Sequence, residues 1–323
     1  MRTSPKNSSG GTITGAFLTE LAALYGFESA LEIAEFGGGL INRSYALSKP
    51  HEAPTYLLQQ INTGVFRDPR VLDDNLCAIS MALAAEAPSP NIAYQAARQF
   101  GIFARQLMHV PAGQIKPSIP QFHDLPLRLA QFEQSLITGN SARVGAQGQT
   151  IAWVRRYMHL ADAFGAAQRS GELPLRLMHH DTKISNVLFD GAGDNGLCVV
   201  DLDTVMPGTI VSDIGDMLRT YLCPVDENHA DLDDICIRET YYSAVVNGYA
   251  AGMASSLSTG EIDMIPFAGK FMMFMQAVRF LTDYFNDDAY YGASYADHNL
   301  NRALNQLTLL DHYCEFVDQR MRP

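Results

Sequence analysis

The apolar positions of this chain follow two periods, and the change from one to the other organises the sequence. Up to about residue 61 they are spaced as in short strands. Leu31 to Phe36 is strand-like and is broken by Gly37-Gly38-Gly39, and Arg43 to Ser48 and the aliphatic-rich Thr55 to Ile61 read as two further strands. Helical spacing governs most of the rest. Residues 14–30 read as a short helix, and Val71 to Ala85 as another that starts after Asp68-Pro69 and stops at the linker Pro88-Ser89-Pro90. Beyond it, Ile92, Ala96, Phe100, Phe103 and Leu107 recur on one helical face, and Trp153 to Gln168 forms a further helix. Short strands near 187–190 and 197–200, joined by the turn Gly191 to Gly196, interrupt the pattern. Helices then resume at about 213–221, 232–252, 260–286 and 297–320.

This pattern predicts an α+β protein of two lobes. Residues 1–13 form a disordered tail, 14–88 a small strand-rich N-terminal lobe, and 89–323 a large, mainly helical lobe, with the chemistry at the junction. Composition adds exclusions. With 47% hydrophobic and 18% charged residues the chain is ordinary globular protein, long enough at 323 residues to bury a sizeable core. A net charge of −12 repels a polyphosphate backbone and argues against nucleic acid as a partner. The five cysteines (Cys77, Cys198, Cys223, Cys236 and Cys314) are scattered and make no C-x-x-C pair, which points away from zinc and disulfides and towards a reducing cytoplasm. No apolar run approaches the roughly 20 residues of a membrane span, and the polar N-terminus lacks a signal peptide's apolar core. The chain reads as cytoplasmic, with no membrane partner.

The chemistry concentrates in Leu177-Met178-His179-His180-Asp181-Thr182-Lys183-Ile184-Ser185-Asn186, followed after a hairpin by Val199-Val200-Asp201-Leu202-Asp203. Phosphoryl transfer from a nucleotide needs such a set: a carboxylate to orient the acceptor hydroxyl, a cation to offset phosphoryl charge, and an amide oxygen plus a second carboxylate to hold Mg²⁺. Asp181 is the candidate base and Lys183 the cation, while Asn186 and Asp201 are the candidate metal ligands. A turn cap would explain Asp181 alone, but not Lys183 and Asn186 at their offsets. For Asp203, on the same side as Asp201, metal-sharing and purely structural readings both stand. His179 reads as a hydrogen-bonding support, and Asp213 as a helix N-cap or a buried anchor for the loop. The run Gly37-Gly38-Gly39-Leu40-Ile41-Asn42, between two strands, suits a turn that covers phosphates with its N–H groups, although any hairpin can use glycines so.

At these residues the chain resembles the aminoglycoside phosphotransferase and choline kinase family, which has a protein-kinase-like fold. Within it the likeness is greatest to bacterial N-acetylhexosamine kinases. It rests on Tyr56 to Thr63 with Val65-Phe66, on Phe122-His123-Asp124-Leu125-Pro126, on His179 to Asn186, and on Val200-Asp201-Leu202-Asp203-Thr204-Val205-Met206-Pro207-Gly208. It continues through Ile265 to Gly269, Arg279 to Tyr284 and His298-Asn299-Leu300. The resemblance implies ATP- and Mg²⁺-dependent phosphorylation of the anomeric hydroxyl of N-acetylglucosamine or N-acetylgalactosamine, with Asp181 as base and Asn186 and Asp201 on the metal. Gly37, Gly38, Gly39, Asn42 and Gln59 would then serve the nucleotide, and Arg279 and Tyr290 the sugar. Without it, Arg279 reads as an ion pair with Asp283 one turn away, and Tyr290 as packing beside Tyr291.

Three departures set limits. Leu40 stands where relatives carry histidine. Gln59 occupies the strand-lysine position of protein kinases, as in the hexosamine kinases. Only Glu86-Ala87-Pro88-Ser89-Pro90 spans a region where relatives place further strands and an adenine-binding hinge. A small lobe so shortened leaves a sheet edge that another segment, or a second copy in a homo-oligomer, would cover. Two rivals follow: a kinase-like binding protein without competent ATP binding, and a kinase for another sugar or an amino alcohol.

Overall fold

The computed structural model describes residues 32–35, 43–48, 56–60, 89–190 and 195–320. The chain divides into two compact units, Met1–Ser80 and Met81–Pro323. In the first, β1 (Glu32–Glu35), β2 (Arg43–Ser48) and β3 (Tyr56–Gln60) form an antiparallel sheet in that order, with Glu35 opposite Tyr45 and Arg43 opposite Gln60. These strands lie where the apolar pattern puts them, and Gln59 is on β3 opposite Ser44. The expected helices at 14–30 and 71–85, the run Gly37 to Asn42, and residues 86–88 and 191–194 lie outside the described residues.

The second unit is built on helices. Ser89 caps α1 (Pro90–Leu107) by accepting the Ile92 N–H, and Pro90 supplies a preset φ in the first turn. Its buried face differs from the expected stripe. Ala93, Ala96, Ala97, Phe100, Gly101 and Ala104 are buried, while Ile92, Phe103 and Leu107 are only half-buried. The reason lies across the interface in α7 (Glu239–Met253), where Gly252 comes so close that an added Cβ would lie 2.2 Å from the Arg98 carbonyl oxygen. Two helices at that range interlock through alanine and glycine, which decides the buried face more strongly than side-chain size.

After α1 come α2 (Leu125–Thr138), α3 (Ser141–Ala146), α4 (Gly148–Arg156) and α5 (His159–Ser170). The single helix expected over 153–168 is two helices, broken at Tyr157-Met158. Trp153, Arg156 and Tyr157 all donate to Asp311, and this convergence draws the break onto the C-terminal helix. Two short strand pairs carry the chemical segment: β4 (Arg176–Met178) with β7 (Met206–Gly208), and the hairpin of β5 (Val187–Phe189) and β6 (Gly196–Val199). The first pair escapes sequence reading because three residues are too few to show a period.

The remainder is α6 (Ile210–Tyr221), α7, the short α8 (Thr259–Asp263), α9 (Ile265–Phe285) and α10 (His298–Arg320). Helices expected at 232–252 and 260–286 are thus shorter or divided. Helix α9 is apolar almost all round and is the central post of the core, with Phe271, Met273, Phe274, Val278, Phe280 and Phe285 buried. Truncating any of these phenylalanines to alanine would cost about 3–5 kcal/mol. The expected class, a small strand-rich part followed by a large helical one, is the class observed. Among the described residues no helix is long and apolar enough to cross a membrane.

Candidate active site

Strand β4 delivers the chain to the loop that starts at His179, and α6 holds that loop in place. Asp213, in the first turn of α6, accepts the N–H of His179 at 3.1 Å and of His180 at 2.8 Å. Thr209 is the residue at the helix N-cap, so of the two readings for Asp213 the anchor is the one realised. Burial pushes the Asp213 carboxyl up, and the neighbouring His180 and His179 with their N–H groups oppose that shift. One turn on, Asp216 accepts the Thr182 N–H at 2.8 Å. The Thr182 hydroxyl donates to the Asp213 carbonyl at 2.8 Å, and the Tyr221 hydroxyl donates to the Thr182 carbonyl at 2.7 Å. These bonds hold His180 at a φ of 68°, a left-handed conformation that β-carbon residues adopt only under constraint.

On this frame the candidate residues come together. Lys183 Nζ lies 3.2 Å from Asp181 Oδ1, and the Asn186 amide nitrogen donates to Asp181 Oδ2 at 3.1 Å and to the Asp181 carbonyl at 2.9 Å. That use of the nitrogen leaves the amide oxygen of Asn186 as its acceptor. Burial works against the Lys183 charge, but the carboxylates of Asp181 and Asp216 outweigh it, so the ammonium is held more firmly than usual. The second segment is sewn to the first: the Val200 N–H donates to the Asn186 carbonyl at 2.9 Å, His179 Nε2 meets the Val200 carbonyl at 3.0 Å, and the Thr204 hydroxyl donates to the His179 carbonyl at 2.6 Å. A carbonyl only accepts, so His179 Nε2 carries the proton, as its supporting role requires.

Asp201 follows at a φ of 60°. Burial, then the charge of Asp203 and a hydrogen bond with it, then the charge of Asp181, push the Asp201 carboxyl up. Two neighbouring acids, once ionised, make with the Asn186 amide oxygen a donor set that fits Mg²⁺. That ion takes one or two carboxylates and leaves its other positions to phosphate and water. Among the described residues no group of three or more His, Cys, Asp or Glu forms a metal cage.

Several contributors were not legible in the sequence. Asp216 pairs with Arg219 at 2.9 Å, Arg219 with Glu227 at 2.5 Å, and Glu227 with Arg302, forming a buried chain of alternating charge that starts at the Thr182 N–H. Burial opposes ionisation of Glu227, but the two guanidiniums prevail and bring its pKa to about 2. Ser212 Oγ bridges His180 Nδ1 at 2.7 Å and His123 Nδ1 at 2.5 Å. The proximity of Asp216 to Asp213 in Ser212-Asp213-Ile214-Gly215-Asp216 was the one available signal, since both carboxylates lie on the first turns of one helix.

Arg279 and Tyr290 line one cavity of about 520 Å³ between α2, the C-terminal part of α9 and the turn after it. Arg279 makes no ion pair with Asp283. The Asp283 oxygens are occupied by the N–H groups of Tyr290 at 2.7 Å and Tyr291 at 2.9 Å and by the Asn299 amide at 3.1 Å. Arg279 instead donates to Gln276 at 2.7 Å, with its guanidinium 5.3 Å from the Phe122 ring and 5.4 Å from that of Tyr291. Tyr290 does pack edge-on against Tyr291, centroids 4.8 Å apart, yet it is 71% exposed and so open to a ligand.

A loop that presents a carboxylate, a lysine and an asparagine, with a second carboxylate pair behind them, defines the class of phosphoryl-transfer sites. Residues 78–252, more than half of the chain, match the model of the phosphotransferase enzyme family (APH), and the chain belongs to that family. It is a kinase. Among solved structures the chain is similar to choline kinase from Cryptosporidium parvum Iowa II, at 12% identity over 92% of each chain with a TM-score of 0.46.

Proposed function

We propose that the protein transfers a phosphoryl group from ATP, with Mg²⁺, to the anomeric hydroxyl of an N-acetylhexosamine such as N-acetylglucosamine or N-acetylgalactosamine. The observation that carries the reaction is the clustering of Asp181, Lys183 and Asn186 with Asp201, on two segments joined by the Val200 N–H to the Asn186 carbonyl, the first of them anchored to α6 through His179, His180 and Thr182. The acceptor class is supported by the likeness around Asp201 to Gly208 and by Arg279 and Tyr290 sharing one cavity.

Asp181 orients the sugar hydroxyl and takes its proton. The anomeric hydroxyl is more acidic than an ordinary alcohol, so proton transfer can come late. Lys183 places positive charge beside Asp181 and offsets charge that develops on the transferred group. Asn186 and Asp201, with Asp203 beside them, would hold Mg²⁺, which when bound offsets charge on the phosphates.

The test is phosphorus NMR of the protein with ATP, Mg²⁺ and a panel of free sugars and amino alcohols. A new anomeric phosphate signal with an N-acetylhexosamine is expected. Consumption of ATP with a phosphorylated amino alcohol instead would overturn the acceptor and leave the reaction standing.

A further inference from the structure

Several arginines of the second unit are answered by carboxylates. Arg176 pairs with Glu261, Arg219 with Asp216 and Glu227, and Arg302 with Glu227. The cavity that holds Arg279 departs from this pattern. Arg128, on α2, lines the same space, and among the described residues no carboxylate pairs with either guanidinium. The one acid in the wall, Asp283, has its oxygens engaged by N–H donors. Arg128 gives its terminal nitrogens to Gln131 and to the carbonyls of Gln121 and Phe122, which leaves its Nε buried without an acceptor. The Tyr291 hydroxyl, in the same wall, is also buried without a partner. Burial and then the charge of Arg279 lower the pKa of Arg128, which records the mutual repulsion of two cations facing one space.

Two guanidiniums that line one cavity without a carboxylate partner are relieved by one kind of occupant, an oxyanion that accepts from both. We propose that Arg128 and Arg279 form an oxyanion subsite of this cavity, so that its preferred ligand carries a carboxylate or phosphate group. Taken with the acceptor reading, on which this extension rests, the preferred acceptor is an N-acetylhexosamine with an acidic substituent away from its anomeric carbon.

Calorimetric titration of the full chain without nucleotide, using N-acetylglucosamine, N-acetylglucosamine 6-phosphate and inorganic phosphate, decides the matter. The 6-phosphate is expected to bind at least tenfold more tightly than the neutral sugar, with most of that gain lost in Arg128→Gln and in Arg279→Gln. Equal affinities in the wild-type protein, or a gain that survives both substitutions, would overturn the subsite. Arg128 also braces the main chain at Gln121 and Phe122, so the wild-type comparison and Arg279→Gln carry the result should Arg128→Gln fail to fold. If neither sugar binds, the hexosamine reading falls. Inorganic phosphate then judges the subsite by itself: affinity weakened at least tenfold in Arg279→Gln supports it, and unchanged or absent binding overturns it.

Discussion

The loop from His179 to Asn186 and the cavity around Arg279 treat their polar groups in opposite ways. In the loop, the main-chain groups of His179, His180 and Thr182 find partners in Asp213, Asp216, Tyr221 and Thr204, and Asp181 is held by Lys183 and Asn186. In the cavity, a guanidinium nitrogen and a phenol are buried with no partner, and two arginines share a space without an acid to pair with. The first region is finished by the protein alone and is preorganised for chemistry. The second presents two cations that an anionic ligand would pair. A buried donor without a partner costs about 1–3 kcal/mol. A protein that carries such costs in one region and avoids them in another separates reactivity from recognition.

The largest expected effect falls on the finished side. Asp181→Asn should lower kcat by about 10³-fold, the range for loss of a positioned base. It should leave thermal stability within about 1 kcal/mol, because the lost pair with half-exposed Lys183 is worth little. Steady-state rates and a melting curve read both quantities. Retained turnover would show that the tight loop serves the fold and not the reaction.

Asp213→Ala attacks the frame in place of the reactive group. It orphans two buried N–H groups and frees His180 from its left-handed conformation, so destabilisation of about 2–5 kcal/mol is expected. Turnover should fall with it. The affinity of the acceptor for folded protein should move little, since the cavity walls come from α2 and α9. Chemical denaturation paired with a sugar titration checks this, and a parallel loss of sugar affinity would mean that the two regions are not separate.

The same division explains what the sequence disclosed. Asp181, Lys183, Asn186 and Asp201 lie on two short stretches, so the chain itself brings them together and their spacing is readable. Asp213 was readable as an anchor because it opens a helix just beyond them. Asp216 was not, since its partner is the Thr182 main chain, which no side-chain pattern reports. The cavity joins residues about 150 positions apart: Arg128 from one helix, Arg279 from another. Local spacing even suggested pairing Arg279 with Asp283, and only the folded turn after α9, whose N–H groups claim that carboxylate, rules it out. The positions of β1, β2, β3, β5 and β6 and the α+β class followed from apolar period. The buried face of α1 did not, because glycines on α7 decide it from across the interface.

The smallest effect tests whether the metal side belongs with the finished loop or with the incomplete cavity. Burial, followed by the charge and hydrogen bond of Asp203, raises the Asp201 carboxyl above its usual value near 3.8. An acid whose folded pKa is raised stabilises the fold fully below that usual value and loses this contribution as pH rises through the folded pKa. Its ionised form, the one a cation needs, is therefore reached only at higher pH, so Mg²⁺-dependent turnover should fall on acidification sooner than for an ordinary carboxylate. Asp203→Asn removes the charge of Asp203 and should move this acid limb to lower pH. At neutral pH it should weaken Mg²⁺ by about tenfold, the loss typical of a group that supports a ligand. A rate profile against pH at a fixed, subsaturating Mg²⁺ concentration, beside a Mg²⁺ titration at neutral pH, separates the two effects. A limb that stays in place would mean that another group controls the metal, and that Asp201 and Asp203 are joined for structure alone.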